Sequence, residues 1–308
     1  MIVQVARFLK RSEKYRLYLF LGFSNSFLEM SGFKFQKEYD FAVELAKAAG
    51  SVIKDAYDKP KNVELKCSIA DLVTETDTFV EKMILDKIKT SFPNHDFIGE
   101  ESVAASNGAK VNITNTPTWI IDPVDGTTNF VHSFPYTCVA IGFLYEKQPV
   151  FGVIFNPIRG ELFAARKGHG ATLNGKSISV ASTGSKTVKG SLLISEFGSS
   201  RDPAKIKWMH SNFEQLLNSG VHGIRSLGSC ALNICSVACG RADGFYEAGM
   251  HIWDIAGASL ILEEAGGFCC DMDGKSLDLC RRRIVACSSE SLAQDVVANI
   301  STIELETD

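Results

Sequence analysis

No C-x-x-C pair occurs in this chain of 308 residues, although nine cysteines do, at positions 67, 138, 230, 235, 239, 269, 270, 280 and 287. An odd set without that spacing fits neither a zinc ribbon nor a disulfide framework, so the thiols read as reduced and the protein as cytoplasmic. Long apolar runs are missing too. The stretch from Leu17 to Phe23 falls well short of the ~20 residues that a bilayer-spanning helix needs, so no membrane span is expected. There is neither an internal repeat nor a low-complexity linker. A net positive charge is absent from the body of the chain. The whole sequence carries −4, residues 1 to 35 carry +4 (six Lys or Arg against Glu13 and Glu29), and residues 36 to 308 therefore carry −8. An acidic body argues against general nucleic-acid binding.

What is present is material for a core. Apolar residues make up 45% of the chain, ample at this length for one large domain or two smaller ones. The basic first 35 residues read as a dispensable extension, with Met30 resembling an alternative start and an organellar presequence as the competing reading. Residues 36 to 308 read as a single domain. From Phe41 onward Leu45, Ala48, Val52 and Ala56 recur at three or four, which predicts an amphipathic helix ending before Pro60. A second helix follows Asp77. Phe97-Ile98-Gly99 reads as a strand ending at Glu100 and Glu101, the second of these a solvated loop acid, and strands follow near 139–145, 150–155 and 162–165. The second half alternates strand with helix, which predicts layered sheets and helices. Cys230, Cys235 and Cys239 approximate helical spacing and read as small buried thiols on one helix face.

The most informative segment is Trp119-Ile120-Ile121-Asp122-Pro123-Val124-Asp125-Gly126-Thr127-Thr128-Asn129-Phe130. Its apolar opening suits a strand covered on both faces, so the chain should leave the core near Asp122. Pro123 turns the backbone and can bring Asp122, Asp125 and the Val124 carbonyl toward one point. Hard oxygen donors of that kind suit Mg²⁺. Gly126 permits close backbone approach, and Thr127 and Thr128 begin a short helix whose free N–H groups favour a phosphate. An Asx turn with a helix cap is the competing reading. Glu100 after a strand, and Asp77 and Asp254 at helix starts, are three further acids that could converge on the same point or could simply be a loop acid and two caps.

Together with Asp71-Leu72-Val73-Thr74-Glu75-Thr76-Asp77, Phe97-Ile98-Gly99-Glu100-Glu101-Ser102, His222-Gly223-Ile224-Arg225-Ser226 and Trp253-Asp254 through Glu264-Ala265-Gly266-Gly267, the Trp119 segment makes the chain resemble the inositol monophosphatases of the animal type, in the lithium-sensitive, magnesium-dependent phosphatase superfamily. The likeness runs from about Glu38 to about Asn299. It implies an α+β fold, the five-layer αβαβα sandwich of the inositol monophosphatase and fructose-1,6-bisphosphatase type, and a homodimer. By position it places metal ligands at Glu100, Asp122, the Val124 carbonyl, Asp125 and Asp254, and catalytic roles at Glu100, Thr127 and Asp77. Phosphate recognition falls on Asp125, Gly126 and Thr127, and sugar-hydroxyl recognition on Gly228, Ser229, Cys230, Glu247 and Asp254. Lys66 matches a lysine near the metals. The chain departs from relatives at Cys230, where a smaller residue is usual, and at Ile252, where some carry cysteine.

The activity so implied is Mg²⁺-dependent hydrolysis of inositol monophosphates, inhibited by Li⁺. One ion, at Glu100, Asp122 and the Val124 carbonyl, would activate a water oriented by Thr127 and Asp77; a second, at Asp122, Asp125 and Asp254, would stabilise the leaving oxygen. Fructose-1,6-bisphosphatase and 3′-phosphoadenosine phosphatase share the metal residues, so the acids alone do not separate these activities. A catalytically silent interaction protein is the reading from another class. His251 reads as a packed or capping histidine.

Overall fold

The computed structural model describes residues 33–308 except Cys67, residues 107–109, Thr183 and Ser185. Most of the expected extension, residues 1–32, lies outside the described residues. The chain divides between Asp40 and Phe41, and the architecture below is that of the larger unit. The order of elements is α1 (Gln36–Tyr57), β1 (Val63–Leu65), β2 (Leu72–Thr74), α2 (Glu75–Ser91), β3 (Asp96–Gly99), α3 (Glu100–Ala105), β4 (Thr118–Asp125) and α4 (Thr127–Val131). A meander follows, formed by β5 (Cys138–Tyr145), β6 (Gln148–Asn156), β7 (Glu161–Arg166), β8 (Ala171–Leu173) and β9 (Lys176–Ile178). The remainder is β10 (Leu192–Ser195), α5 (Pro203–Asn218), β11 (Gly223–Arg225), α6 (Cys230–Ala238), β12 (Gly244–Ala248), α7 (Ile252–Glu264), β13 (Phe268–Cys270), β14 (Arg283–Cys287) and α8 (Glu290–Ala298).

Strands β3 to β9 form a seven-stranded sheet in sequence order, parallel only at β3–β4, while the second sheet runs β11-β10-β12-β14-β13. α2 packs on β4, and α6 and α7 lie between the two sheets, where Ile154, Phe163, Ile234, Ile261, Phe245 and Ile284 share one apolar cluster. α5 and α8 cover the outer face of the five-stranded sheet through Leu216, Tyr246, Val285, Leu292 and Val296. The result is the five-layer αβαβα sandwich.

Two local devices set the geometry of the site. The first is at β4, which is buried at all eight positions. The strand does not end at Asp122 as the sequence pattern predicts. It continues to Asp125 with a register shift, Asp122 facing Ala140 and Asp125 facing Cys138, so one extra residue sits on the β4 side. Pro123 has no N–H to give to the ladder, and a bulge absorbs it. The second device is a stack of glycines. Gly142 on β5 pairs with Gly152 on β6, and Gly257 of α7 lies on both. A Cβ at Gly152 would meet the Gly257 carbonyl oxygen at 2.1 Å, and one at Gly142 the Gly257 nitrogen at 2.9 Å. Only bare backbone lets the helix lie this deep, and Asp254 stands one turn before Gly257.

Candidate active site

The deep seating of α7 carries Asp254 to the end of β4. One carboxylate oxygen from each of Asp122, Asp125 and Asp254 lies within 4.8 Å of the others. Such crowding of like charge away from water favours protonation. Burial, then Glu100, Asp125 and Asp254, push the Asp122 carboxyl well above the ordinary range. Burial, then Asp125, push Asp254 up to about 7. Asp125 is raised by burial to about 6 although its bonds oppose the shift. It accepts from Ser229 Oγ at 2.5 Å, the Ala231 N–H at 2.8 Å and the Cys230 N–H at 3.2 Å. These donors form the start of α6, whose dipole favours a carboxylate there, so Asp125 ties the strand end to the helix.

Beside this group stands a second, built on α2. Asp77 has no exposed surface, and its Oδ2 accepts from the Thr74 N–H at 3.0 Å in a capping box. Its Oδ1 accepts from Thr127 Oγ1 at 3.1 Å, a hydroxyl also 3.0 Å from the Val124 carbonyl oxygen. Capping and facing the site are therefore not alternatives: one oxygen does each. Burial outweighs the bonds from Thr74 and lifts Asp77 to about 6. Asp254 repeats the pattern, Oδ2 accepting the His251 N–H at 2.6 Å in the capping box of α7.

Glu100 opens α3 at the rim and is not one of the three converged acids. Its Oε1 accepts from Lys66 Nζ at 2.7 Å, and Glu101 Oε1 accepts from the same ammonium at 2.6 Å. Burial works against the Lys66 charge, but Glu100 and Glu101 outweigh it and raise its pKa. Glu101 is thus no solvated loop acid: its side chain is 12% exposed and burial, then Glu100, lift it to about 7. Its placement depends on Glu81 of α2, which accepts from the Glu101 and Ser102 N–H groups at 2.7 Å each and which sequence reasoning missed.

The other expected residues line the same cavity of about 770 Å³. Gly126 has φ +87°, and a Cβ there would lie 2.9 Å from the Gly228 carbonyl oxygen and 3.0 Å from that of Tyr136. Asn129 holds this junction by donating to the carbonyls of Tyr136 and Leu227 at 2.8 and 2.7 Å. Ser229 caps α6 and Cys230 is its first residue, with burial raising the thiol well above its ordinary pKa. Cys235 is buried on the same helix and Cys239, which caps it, is half-buried. Glu247, 7% exposed on β12, has its Oε2 buried without a hydrogen bond, and burial, then Glu196 and Asp254, raise it well above the carboxylate range. Glu196, also missed, accepts from the Leu227 and Gly228 N–H groups and from Asn233; its signal was the one that marked Glu100, an acid directly after a strand. His251 stacks on Trp253 at 4.5 Å and bonds Asp308 through Nδ1. A second cavity of about 600 Å³, by Ile113, Pro149, Leu260 and Leu279, has no converged acids among the described residues.

The inositol monophosphatase family model matches residues 34–305. Inositol monophosphatase 1 of Homo sapiens is 48% identical over 273 residues, covering 89% of this chain and 97% of that protein. Among solved structures, the extragenic suppressor protein suhB of Bartonella henselae superposes with TM-score 0.74 at 31% identity, over 84% of this chain and 96% of that one. An IMPase of Thermotoga maritima superposes with TM-score 0.75 at 28% identity, over 85% and 96%. No helix among the described residues is long and apolar enough to cross a membrane.

Proposed function

The chain belongs to the inositol monophosphatase family and is a phosphatase, and from that premise we propose that it hydrolyses inositol monophosphates to inositol and phosphate, with Mg²⁺ as cofactor and Li⁺ as inhibitor. The observation that carries the proposal is the convergence of Asp122, Asp125 and Asp254 in the lining of one cavity. All three offer hard oxygen, with no thiolate or imidazole among them, which fits Mg²⁺. Their mutual repulsion is what a divalent cation would relieve. Glu100, Asp122, the Val124 carbonyl, Asp125 and Asp254 would hold it. When bound, it supplies the Lewis-acid charge that acidifies the attacking water and neutralises the departing alkoxide.

The protein's own groups do the rest. Thr127 Oγ1, set between the Val124 carbonyl and Asp77 Oδ1, orients the water and passes its proton to Asp77, whose pKa near 6 suits a base at neutral pH. Gly126 and Thr127 offer backbone N–H groups to the phosphate. Lys66 holds the Glu100 side chain in place. Glu247 Oε2 accepts from a substrate hydroxyl, and the Gly228-Ser229-Cys230 turn borders the ring. These contacts fix the ester for in-line attack. Residues 36–308 carry the activity, so a chain starting at Met30 should keep full kcat. We further propose that the protein is a homodimer, which sedimentation would test.

The test is phosphate release from inositol 1-phosphate, fructose 1,6-bisphosphate and 3′-phosphoadenosine 5′-phosphate across a Mg²⁺ titration, with and without Li⁺. Inositol 1-phosphate should have the highest kcat/KM, with no turnover after chelation. Preference for either of the other two substrates would overturn the assignment, as would turnover without a divalent cation.

A further inference from the structure

Lys205, in the first turn of α5, is 6% exposed, and among the described residues its ammonium has no hydrogen-bond or ion-pair partner. A buried lysine without a partner is costly. Two glycines make room for it. A Cβ at Gly198 (φ +61°) would lie 2.9 Å from Lys205 Nζ, and one at Gly249 (φ +103°) 2.5 Å from it. Gly198, Gly249 and Glu247 all line the active-site cavity, so the ammonium abuts a stretch of its wall that carries no side chain.

Glu247 faces the same place. Its Oε1 is 3.8 Å from the point where a Gly198 Cβ would stand, so the gap from Nζ to Oε1 is no more than the sum of that distance and 2.9 Å. No contact ion pair closes this gap among the described residues, and Glu247 Oε2 is buried without a partner. Arg201 and Arg282 are the other cations acting on Lys205. Arg201 donates through Nη1 to the Gly198 and Ser200 carbonyls, and Arg282 through Nη2 and Nε to the Gly249 and Met250 carbonyls. Lys205 is thus a cation whose donors are all unused among the described residues, opposite a carboxylate with an acceptor to spare.

We propose that Lys205 is a specificity-determining residue whose ammonium, together with Glu247, brackets one hydroxyl of the polyol substrate. The inference rests on the proposed inositol monophosphatase reading of the cavity. A hydroxyl is the group that accepts from an ammonium and donates to a carboxylate at once. Two hydrogen bonds of ordinary length meeting at one oxygen span a gap of this order. A keto oxygen could satisfy Lys205 but not Glu247, and an ammonium group the reverse. The pair thus selects for a hydroxyl and against its oxidised or aminated counterparts.

The experiment compares wild type, Lys205→Met and Lys205→Gln on inositol 1-phosphate and on p-nitrophenyl phosphate, which has no ring hydroxyl. In Lys205→Met the ratio of kcat/KM for inositol 1-phosphate to that for p-nitrophenyl phosphate should fall about 10-fold, chiefly through KM, as about one charge-assisted hydrogen bond implies. Lys205→Gln, which keeps a donor, should regain part of the ratio. In a Glu247→Gln background the Lys205→Met effect should shrink to about 2-fold, since the two read one group. An unchanged ratio in Lys205→Met, or full additivity with Glu247→Gln, would overturn the proposal. If neither variant folds, a series of deoxyinositol 1-phosphates on wild type decides: one position should cost about 10-fold or more, and a series without such a position overturns it. A wild type that turns over p-nitrophenyl phosphate but not inositol 1-phosphate would instead sink the functional reading.

Discussion

Two of the groups of buried charge among the described residues are built on opposite plans. In one, Asp271 and Arg283, 0% and 1% exposed, meet on β14 and the loop before it. Arg283 Nη2 donates to Asp271 Oδ1 at 2.7 Å, and Nη1 donates to Glu304 Oε1 at 2.9 Å and the Ile303 carbonyl at 3.0 Å. The Asp273 N–H takes up more of the Asp271 carboxylate. The other group, Asp122, Asp125 and Asp254, has three acids converged with no basic side chain among them. The first is complete within the chain and needs nothing from outside. The second carries uncompensated charge that the fold tolerates at a cost and that a cation would balance. Burial alone does not separate a structural cluster from a reactive one; the local sum of charge does.

The sharpest way to break this contrast is to remove one acid from each group. Asp254→Asn keeps an oxygen that can still accept the His251 N–H, so the helix cap survives while a charged donor is lost. Metal assistance is worth several kcal/mol at the transition state, so kcat/KM for inositol 1-phosphate should fall about 1,000-fold or more, with the circular dichroism spectrum unchanged. Wild-type-like turnover would show that the acid group is not the metal site. Asp271→Ala should do the reverse. It strands a buried guanidinium on one face, and breaking a buried pair costs about 3–5 kcal/mol, read as a lower urea midpoint. At temperatures where the variant is folded, its kcat should match wild type. A loss of stability under about 1 kcal/mol would mean that Glu304 and the Ile303 carbonyl suffice for Arg283.

The same contrast explains what was legible in the sequence. The Trp119–Phe130 segment could be read because strand, proline, acids and glycine are neighbours in the chain, and local rules govern how they fold. Its one error, ending the strand at Asp122, came from a bulge that only the β5 partner defines. Asp254 could be suspected as a cap but not placed, because its approach depends on Gly142, Gly152 and Gly257 meeting across two strands and a helix. Periodicity does not reveal such a contact; the family resemblance supplied the position instead. Glu101 was misread because its surroundings come from Glu81 and Lys66, 20 and 35 residues earlier in the chain. Lys205 had no signal at all, since a lysine in the first turn of a helix after an Asp cap reads as solvated.

The smallest expected effect concerns stability and pH. Asp77 and Asp125 are held near 6 and Asp254 near 7, all above the unfolded value of about 4 for an aspartate. A raised folded pKa means that the folded state binds more protons, so its contribution is present below the unfolded pKa and is lost as pH rises through the folded one. Chelated protein should therefore have a lower Tm at pH 7.5 than at pH 5.5. Mg²⁺ at about ten times its dissociation constant contributes roughly 1.4 kcal/mol, or about 3–5 °C for a domain of this size. That shift should be full at pH 7.5, less than half as large at pH 5.5 where the acids are partly protonated, and largely absent in Asp254→Asn. Asp271→Ala should lower every Tm and leave the Mg²⁺ shift intact, because its cluster is already neutralised from within. A Mg²⁺ shift equal at both pH values, or one lost in Asp271→Ala and kept in Asp254→Asn, would place the cation away from the acids at the end of β4.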